Sequence, residues 1–297
     1  MKIRSNLKWA LILSGGGAKG LAHVGIINAL AAMDVPGPSF IAGTSMGAIV
    51  GGLYACGMSP EALRRFVLEE FNINDYLDSF VYRMNGPAGK LLRAGHIIGN
   101  LATRAGINSG ERIIELFEKL TGGKQFDETL IPFRCNAVDL ASGKEVVFDS
   151  GSVAKAMHAS MAFPAFFEPL VDGEHCYADG GIAHNLPVFT ARDAGFRHIL
   201  AANVVSFRPL APGAIKTVPD IIYRSLETAF HLMQVKERAK ASLTIYASDA
   251  SSPLDFDNKE ELVRLGERAV HENEKIVRAF FLGRSFLLRG KRECGIQ

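Results

Sequence analysis

No two cysteines of this sequence stand in a C-x-x-C pair; Cys56, Cys135, Cys176 and Cys294 are scattered along 297 residues. That spacing indicates neither a zinc site nor a disulfide framework, and it fits a reducing, cytoplasmic setting with Cys56 and Cys135 as small core residues. An excess of one charge is also missing. The net charge is +2 with acids and bases interspersed, which gives no footprint for nucleic acid. Long uninterrupted hydrophobic runs are absent too. Lys2, Arg4 and Lys8 precede an apolar stretch at 9–13 that is too short for a signal peptide and stops at Ser14 and three glycines. Residues 35–60 carry no charge, yet Pro36, Pro38 and several glycines would break a membrane span. A buried strand, a turn and a helix are expected there. No repeat, low-complexity tract or linker divides the chain, so a single domain over 1–297 is expected.

What is present centres on Phe40-Ile41-Ala42-Gly43-Thr44-Ser45-Met46-Gly47, an apolar run that ends in a G-x-S-x-G turn and leads into a helical pattern. Such a turn lifts a serine hydroxyl above the end of a strand and beside a helix N-terminus. Gly43 and Gly47 leave the room it needs. Upstream, the strand expected at 9–13 runs into Ser14-Gly15-Gly16-Gly17-Ala18-Lys19-Gly20 and a helix through 33. Backbone N–H groups converge at such a helix start and form an anion cradle. Gly15, Gly17 and Gly20 match G-x-G-x-x-G, but no acid ends the next strand to hold a ribose, and no G-K-[ST] makes a P-loop. The better use of these amides is to stabilise an oxyanion beside Ser45.

A serine nucleophile needs a base. Eight histidines are candidates, and only His184, five residues after Asp179, has a suggestive position. Asp179, at the end of a short expected strand and before Gly180 and Gly181, is the stronger candidate, although Asp-Gly is also an ordinary turn. A carboxylate base requires direct contact with the serine in a dry site.

Elsewhere the pattern predicts helices over 59–71, from Ser109 to about 121, and over 152–160, 187–194 and 261–281. A long helix carries Ile222, Leu226, Phe230 and Met233 on one face. Strands are expected at 133–139, 144–148, 175–177, 198–205 and 243–247. Residues 72–107 mix apolar and basic residues without clear periodicity, and read as a packed excursion, a lid or a membrane-facing surface. Phe163, Phe166 and Phe167 suit a core or the wall of an acyl pocket. The basic tail (Arg284, Arg289, Lys291, Arg292) suits a solvated terminus or an anionic surface.

The three motifs, in this order and spacing, resemble the patatin-like phospholipase family, in particular its compact bacterial members. The likeness extends to Ala137-Val138-Asp139-Leu140 with Ser142-Gly143, to Ala159-Ser160 with Pro164, and to Asn185 with Pro187, over about residues 8–205. A mostly helical part follows at about 215–297. The resemblance implies a three-layer α/β/α sandwich with a mainly parallel central sheet. It implies a Ser45–Asp179 dyad of nucleophile and base, with oxyanion amides from Gly15, Gly16 and Gly17. Lys19 stands where many members have arginine, which keeps the charge but loses the planar fork. The implied substrates are phospholipids, lysophospholipids or simpler acyl esters, with no metal or other cofactor and with room for peripheral membrane contact. An acyltransferase or thioesterase using the same serine, a nucleotide-binding module, and a regulatory protein with little catalysis are the competing expectations. The oligomeric state is not readable. With aspartate as base, the acid limb of activity is expected below the histidine value of about 6.5.

Overall fold

The structure, a computed structural model, describes residues 7–72, 110–164, 166–249, 251–253, 255–282 and 293–296, excepting the side chains at 212, 219, 220, 223 and 226. The expected features at 73–107, the Ser109 cap, the basic tail and the Leu226 side chain lie outside what is described.

The sheet grows outward from the first apolar run. Strands β1 (Ala10–Leu13), β2 (Phe40–Gly43), β3 (Phe133–Asp139), β7 (Ile199–Asn203) and β8 (Leu243–Ala247) are fully or almost fully buried. Such continuous burial is the mark of parallel strands covered on both faces. With β4 (Lys144–Phe148), β5 (Leu170–Asp172), β6 (His175–Asp179) and β9 (Glu293–Ile296) they form one sheet in the order β5-β6-β3-β2-β1-β7-β8-β9, and β4 also pairs with β3. The pairs from β3 through β2, β1, β7 and β8 to β9 are parallel; β3–β4, β3–β6 and β5–β6 are antiparallel. The sheet is therefore mainly parallel, as expected, with an antiparallel edge. β9 was not expected from the sequence.

Alternation along the strands sends side chains to two separate cores. Leu11, Leu13, Ile41, Leu200 and Ile245 face one core. It is covered by α1 (Ala22–Ala32), α2 (Met46–Ala55), α5 (Val153–Met161) and α8 (Lys259–His271). Ala10, Ile12, Phe40, Ala42 and Ile199 face the other, against α6 (Val188–Asp193). The long helix α7 (Val218–Arg238) joins that second layer through Gln234, which accepts from Asn203 Nδ2 at 3.2 Å. This is the α/β/α sandwich.

Two helical expectations need correction. The first helix begins as a 3-10 turn (Gly17–Leu21), and α1 is buried on nearly every side because α8 covers the side away from the sheet. The helix expected over 261–281 is two, α8 and α9 (Glu274–Phe281), separated at Asn273. On α7 Ile222 is 57% exposed and Phe230 and Met233 are half-buried, while Gln234 and Glu237 are buried. In α3 (Pro60–Arg65), Ser59 caps through Ala62 N–H at 3.2 Å, and in α4 (Glu111–Thr121) Gly110 holds the N-cap position.

Candidate active site

Strand register brings the motifs to one edge. Leu13 pairs with Gly43 and with Ala202, so the loops after β1 and β2 leave the sheet side by side at its carboxyl edge. Ligands gather at that edge in open α/β sheets. Gly43 also pairs with Cys135, and Ala137 pairs with Asp179. The antiparallel strand β6 therefore returns Asp179 to the level of the second residue beyond Gly43, which is Ser45.

Ser45 has φ 53 and ψ −121, a conformation that side-chain-bearing residues rarely adopt and that costs of order 1–3 kcal/mol. Long-range contacts hold it there. Ser45 N–H donates to Ser160 Oγ at 2.9 Å, and Thr44 N–H donates to the Leu13 carbonyl at 3.1 Å. A Cβ at Gly47 would run into that same carbonyl, so only glycine lets α2 start this close to β1. Ser45 makes no side-chain cap on its helix. Its hydroxyl lies near enough to the Asp179 carboxylate to favour the ionised form.

Asp179 is 3% exposed, and Asp179 Oδ1 accepts from Gly181 N–H at 2.7 Å. Burial pushes its carboxyl up to about 6, against the opposing pull of the Gly181 amide and the Ser45 hydroxyl. The acid limb expected below the histidine value of about 6.5 is thereby placed near 6, only a little under it. Burial moves a carboxyl to where imidazole titrates, so the position of the limb cannot tell the two apart.

The glycine loop abuts this pair. A Cβ at Gly15 would sit 3.2 Å from Ser45 Cβ and would clash with Asn185 Oδ1. Gly15 N–H donates to the Asn185 carbonyl at 3.0 Å, so it is committed to holding the loop. Among the described residues, the Gly16 and Gly17 amides make no backbone hydrogen bond, and both sit at the start of the helical segment. His23, buried and lowered to about 4 by desolvation, is neutral and donates from Nε2 to the Ser14 carbonyl at 2.8 Å. Lys19 Nζ donates to the Asp249 carbonyl at 3.0 Å and ties the loop to a neighbouring turn.

Beneath the elbow lies a polar network. Asn136 Oδ1 accepts from Thr44 Oγ1 at 2.6 Å, and Asn136 Nδ2 donates to the Gly180 carbonyl at 3.1 Å and to Glu145 Oε1 at 2.8 Å. It thus joins the serine turn to the turn after Asp179. His184 does not face Asp179: its Nδ1 pairs with Glu145 Oε2 at 2.7 Å, and that carboxylate raises its pKa. Asp139 serves its own turn, where the Ser142 hydroxyl, the Cys176 N–H and His175 hold its carboxyl low. Phe163, Phe166 and Phe167 are half-buried just after Ala162, whose carbonyl accepts from Asp179 N–H at 3.0 Å.

Comparison with known proteins agrees on the family. The family model described as patatin-like phospholipase matches residues 11–192. The chain belongs to the patatin-like phospholipase family. An uncharacterised NTE family protein of Mycobacterium tuberculosis is 36% identical over 187 residues, which are 62% of this chain and 45% of that protein. The lysophospholipase NTE1 of Debaryomyces hansenii is 28% identical over 214 residues, 71% of this chain but 13% of its own length. The chain therefore spans less than half of either relative. Among solved structures, VipD from Legionella pneumophila aligns with a TM-score of 0.51 at 16% identity, over 89% of this chain and 66% of VipD. That likeness concerns the fold. As for the membrane, no helix among the described residues is long and apolar enough to cross one.

Sequence reasoning picked out Ser45, Asp179 and the glycine loop, which the fold brings together, but not the groups that support them. Ser160 was visible only as part of a family resemblance, and Thr44 and Asn136 carried no signal of a role.

Proposed function

We propose that this chain is a serine acyl hydrolase of lipid esters working through a Ser45–Asp179 dyad. The observation that carries the reading is the placement of Ser45, on a strained elbow, level with the buried Asp179 carboxylate and close enough to lower its pKa. Above about pH 6 that carboxylate is ionised and accepts the Ser45 proton as Oγ bonds to the ester carbonyl carbon. The Gly16 and Gly17 amides take the developing oxyanion. Asp179 returns the proton to the departing alkoxide, leaving an acyl-Ser45 ester. Water, deprotonated by Asp179, then attacks the acyl carbonyl and releases the fatty acid and free Ser45. The half-buried Phe163, Phe166 and Phe167 suit the wall of the acyl pocket. A two-residue dyad fits better than a triad because His184 is engaged by Glu145. The family and the NTE1 relative's name support phospholipids and lysophospholipids as substrates, met at a membrane surface by a peripheral protein.

The test is hydrolysis of short- and long-chain p-nitrophenyl esters and lysophospholipids by the wild type, Ser45→Ala and Asp179→Asn. Activity in the wild type and a fall of about a thousandfold or more in both variants is expected. A folded but inert wild type, or an active Ser45→Ala, defeats the reading. Product analysis with an added alcohol or thiol acceptor distinguishes hydrolysis from acyl transfer.

A further inference from the structure

Helix α7 presents an apolar stripe to solvent. Val218, Ile221, Ile222, Leu232 and Val235 are between 46% and 68% exposed. They recur at helical spacing and so share one face over the full 21 residues. Ile215 extends the face, and an open groove of about 430 Å³ runs between it and the Ile221 to Leu232 stretch. Scattered exposed apolar residues are ordinary, but two apolar clusters on one helix face, bridged by a groove over Ser225, Thr228 and Ala229, mark a binding surface. The stripe is not a core face turned outward, because the inner side is already occupied by buried Gln234 and Glu237.

The charges beside it are basic. Residues 208–240 hold six bases and three acids. Of these, Glu227 pairs with Arg224 at 2.6 Å, Arg238 pairs with Glu293 at 3.6 Å, and Glu237 is buried, which leaves the lysines as the exposed charge. Lys236 and Lys240 are exposed at one end, and Lys216 precedes the other. A second copy packed on this stripe, parallel or antiparallel, would bring lysines against lysines. An anionic surface would not.

The helix also stands beside the glycine loop. Val204 and Val205 methyls pack over Gly16, and Phe207 just beyond them stacks on His231 of α7 with ring centroids 4.6 Å apart. Glu227 lies close enough to act electrostatically on Lys19.

We propose that this face of α7 docks on the surface of a bilayer containing anionic phospholipid, its apolar stripe entering the headgroup boundary and its lysines meeting the lipid charge. The site beside the loop then opens where the lipid esters are. The proposal rests on the lipid-hydrolase reading, and its test is separable from it. Ser45→Ala protein, which cannot consume the vesicles, is sedimented with phosphatidylcholine vesicles and with equimolar phosphatidylcholine and phosphatidylglycerol. Binding is expected to be stronger to the mixed vesicles and to weaken with salt. Adding Ile221→Ser and Leu232→Ser is expected to weaken it at least about tenfold, and Lys236→Gln about fivefold. In the chain with Ser45 intact, these changes should leave hydrolysis of a soluble short-chain ester at the wild-type rate, which reports correct folding. No sedimentation with either vesicle, or undiminished binding by the folded Ile221→Ser, Leu232→Ser variant, overturns the docking proposal. So does a dimer, seen by light scattering, that those two changes dissolve. Failure of the wild type to hydrolyse any ester would sink the hydrolase reading instead and leave the binding result standing.

Discussion

Asp179→Asn should make the protein more stable while removing the proposed base. In the folded chain burial raises the Asp179 carboxyl from 3.8 to about 6. Between those values the folded state binds more protons than the unfolded one, so this group's contribution to stability falls as pH rises through the window. Integrated to pH 8, the cost of keeping the buried carboxylate charged is about 3 kcal/mol; at pH 5 it is only about 1.6 kcal/mol. Asparagine has nearly the same shape and stays neutral. Its Oδ1 can still accept from Gly181 N–H, and its Nδ2 can donate to Ser45 Oγ. A net gain of about 1–3 kcal/mol at pH 8 is expected, smaller by about 1 kcal/mol at pH 5. Equilibrium urea denaturation of wild type and variant at both pH values measures it. Equal stability at pH 8, or a gap that does not shrink at pH 5, refutes the reasoning. Other titrating groups are common to both proteins and cancel in the difference.

The elbow strain at Ser45 predicts an order between two inactive variants: Ser45→Gly should be more stable than Ser45→Ala by about 1 kcal/mol in urea, because glycine alone tolerates that backbone freely. The reverse order would mean the elbow stores no strain. Ser160→Ala removes the acceptor for the Ser45 N–H, and a stability loss of about 1–3 kcal/mol is expected. Its steady-state signature should be a kcat reduced by about tenfold or more with KM little changed, since a displaced nucleophile impairs chemistry rather than binding. A raised KM at full kcat would show that Ser160 serves the substrate instead.

The local pieces of the fold were legible because their causes are local. An apolar run before Gly43-Thr44-Ser45 must end in a turn, and Ser14-Gly15-Gly16-Gly17 must open a helix whose N–H groups converge. A dry carboxylate beside two glycines was a reasonable base for the same reason. The interruption at Asn273 and the edge strand β9 were not legible. A helical period continues through the first, and the second is too short to signal itself without β8 alongside.

Sequence alone thus determined the fold class, the family and the candidate dyad, since each is written in turn chemistry, periodicity and motif order. Tertiary structure decided how those residues stand in relation to one another. Antiparallel pairing of β6 with β3 sets Asp179 level with Ser45. Ser160, distant in the chain, clamps the Ser45 amide, and Asn185 claims the Gly15 amide that the sequence offered to an oxyanion. Burial moves Asp179 to about 6, and the packing of Gln234 and Glu237 inward leaves large apolar residues of α7 facing solvent. Each of these depends on which distant groups share a volume and how much water they exclude, and neither quantity is a property of a local stretch of chain.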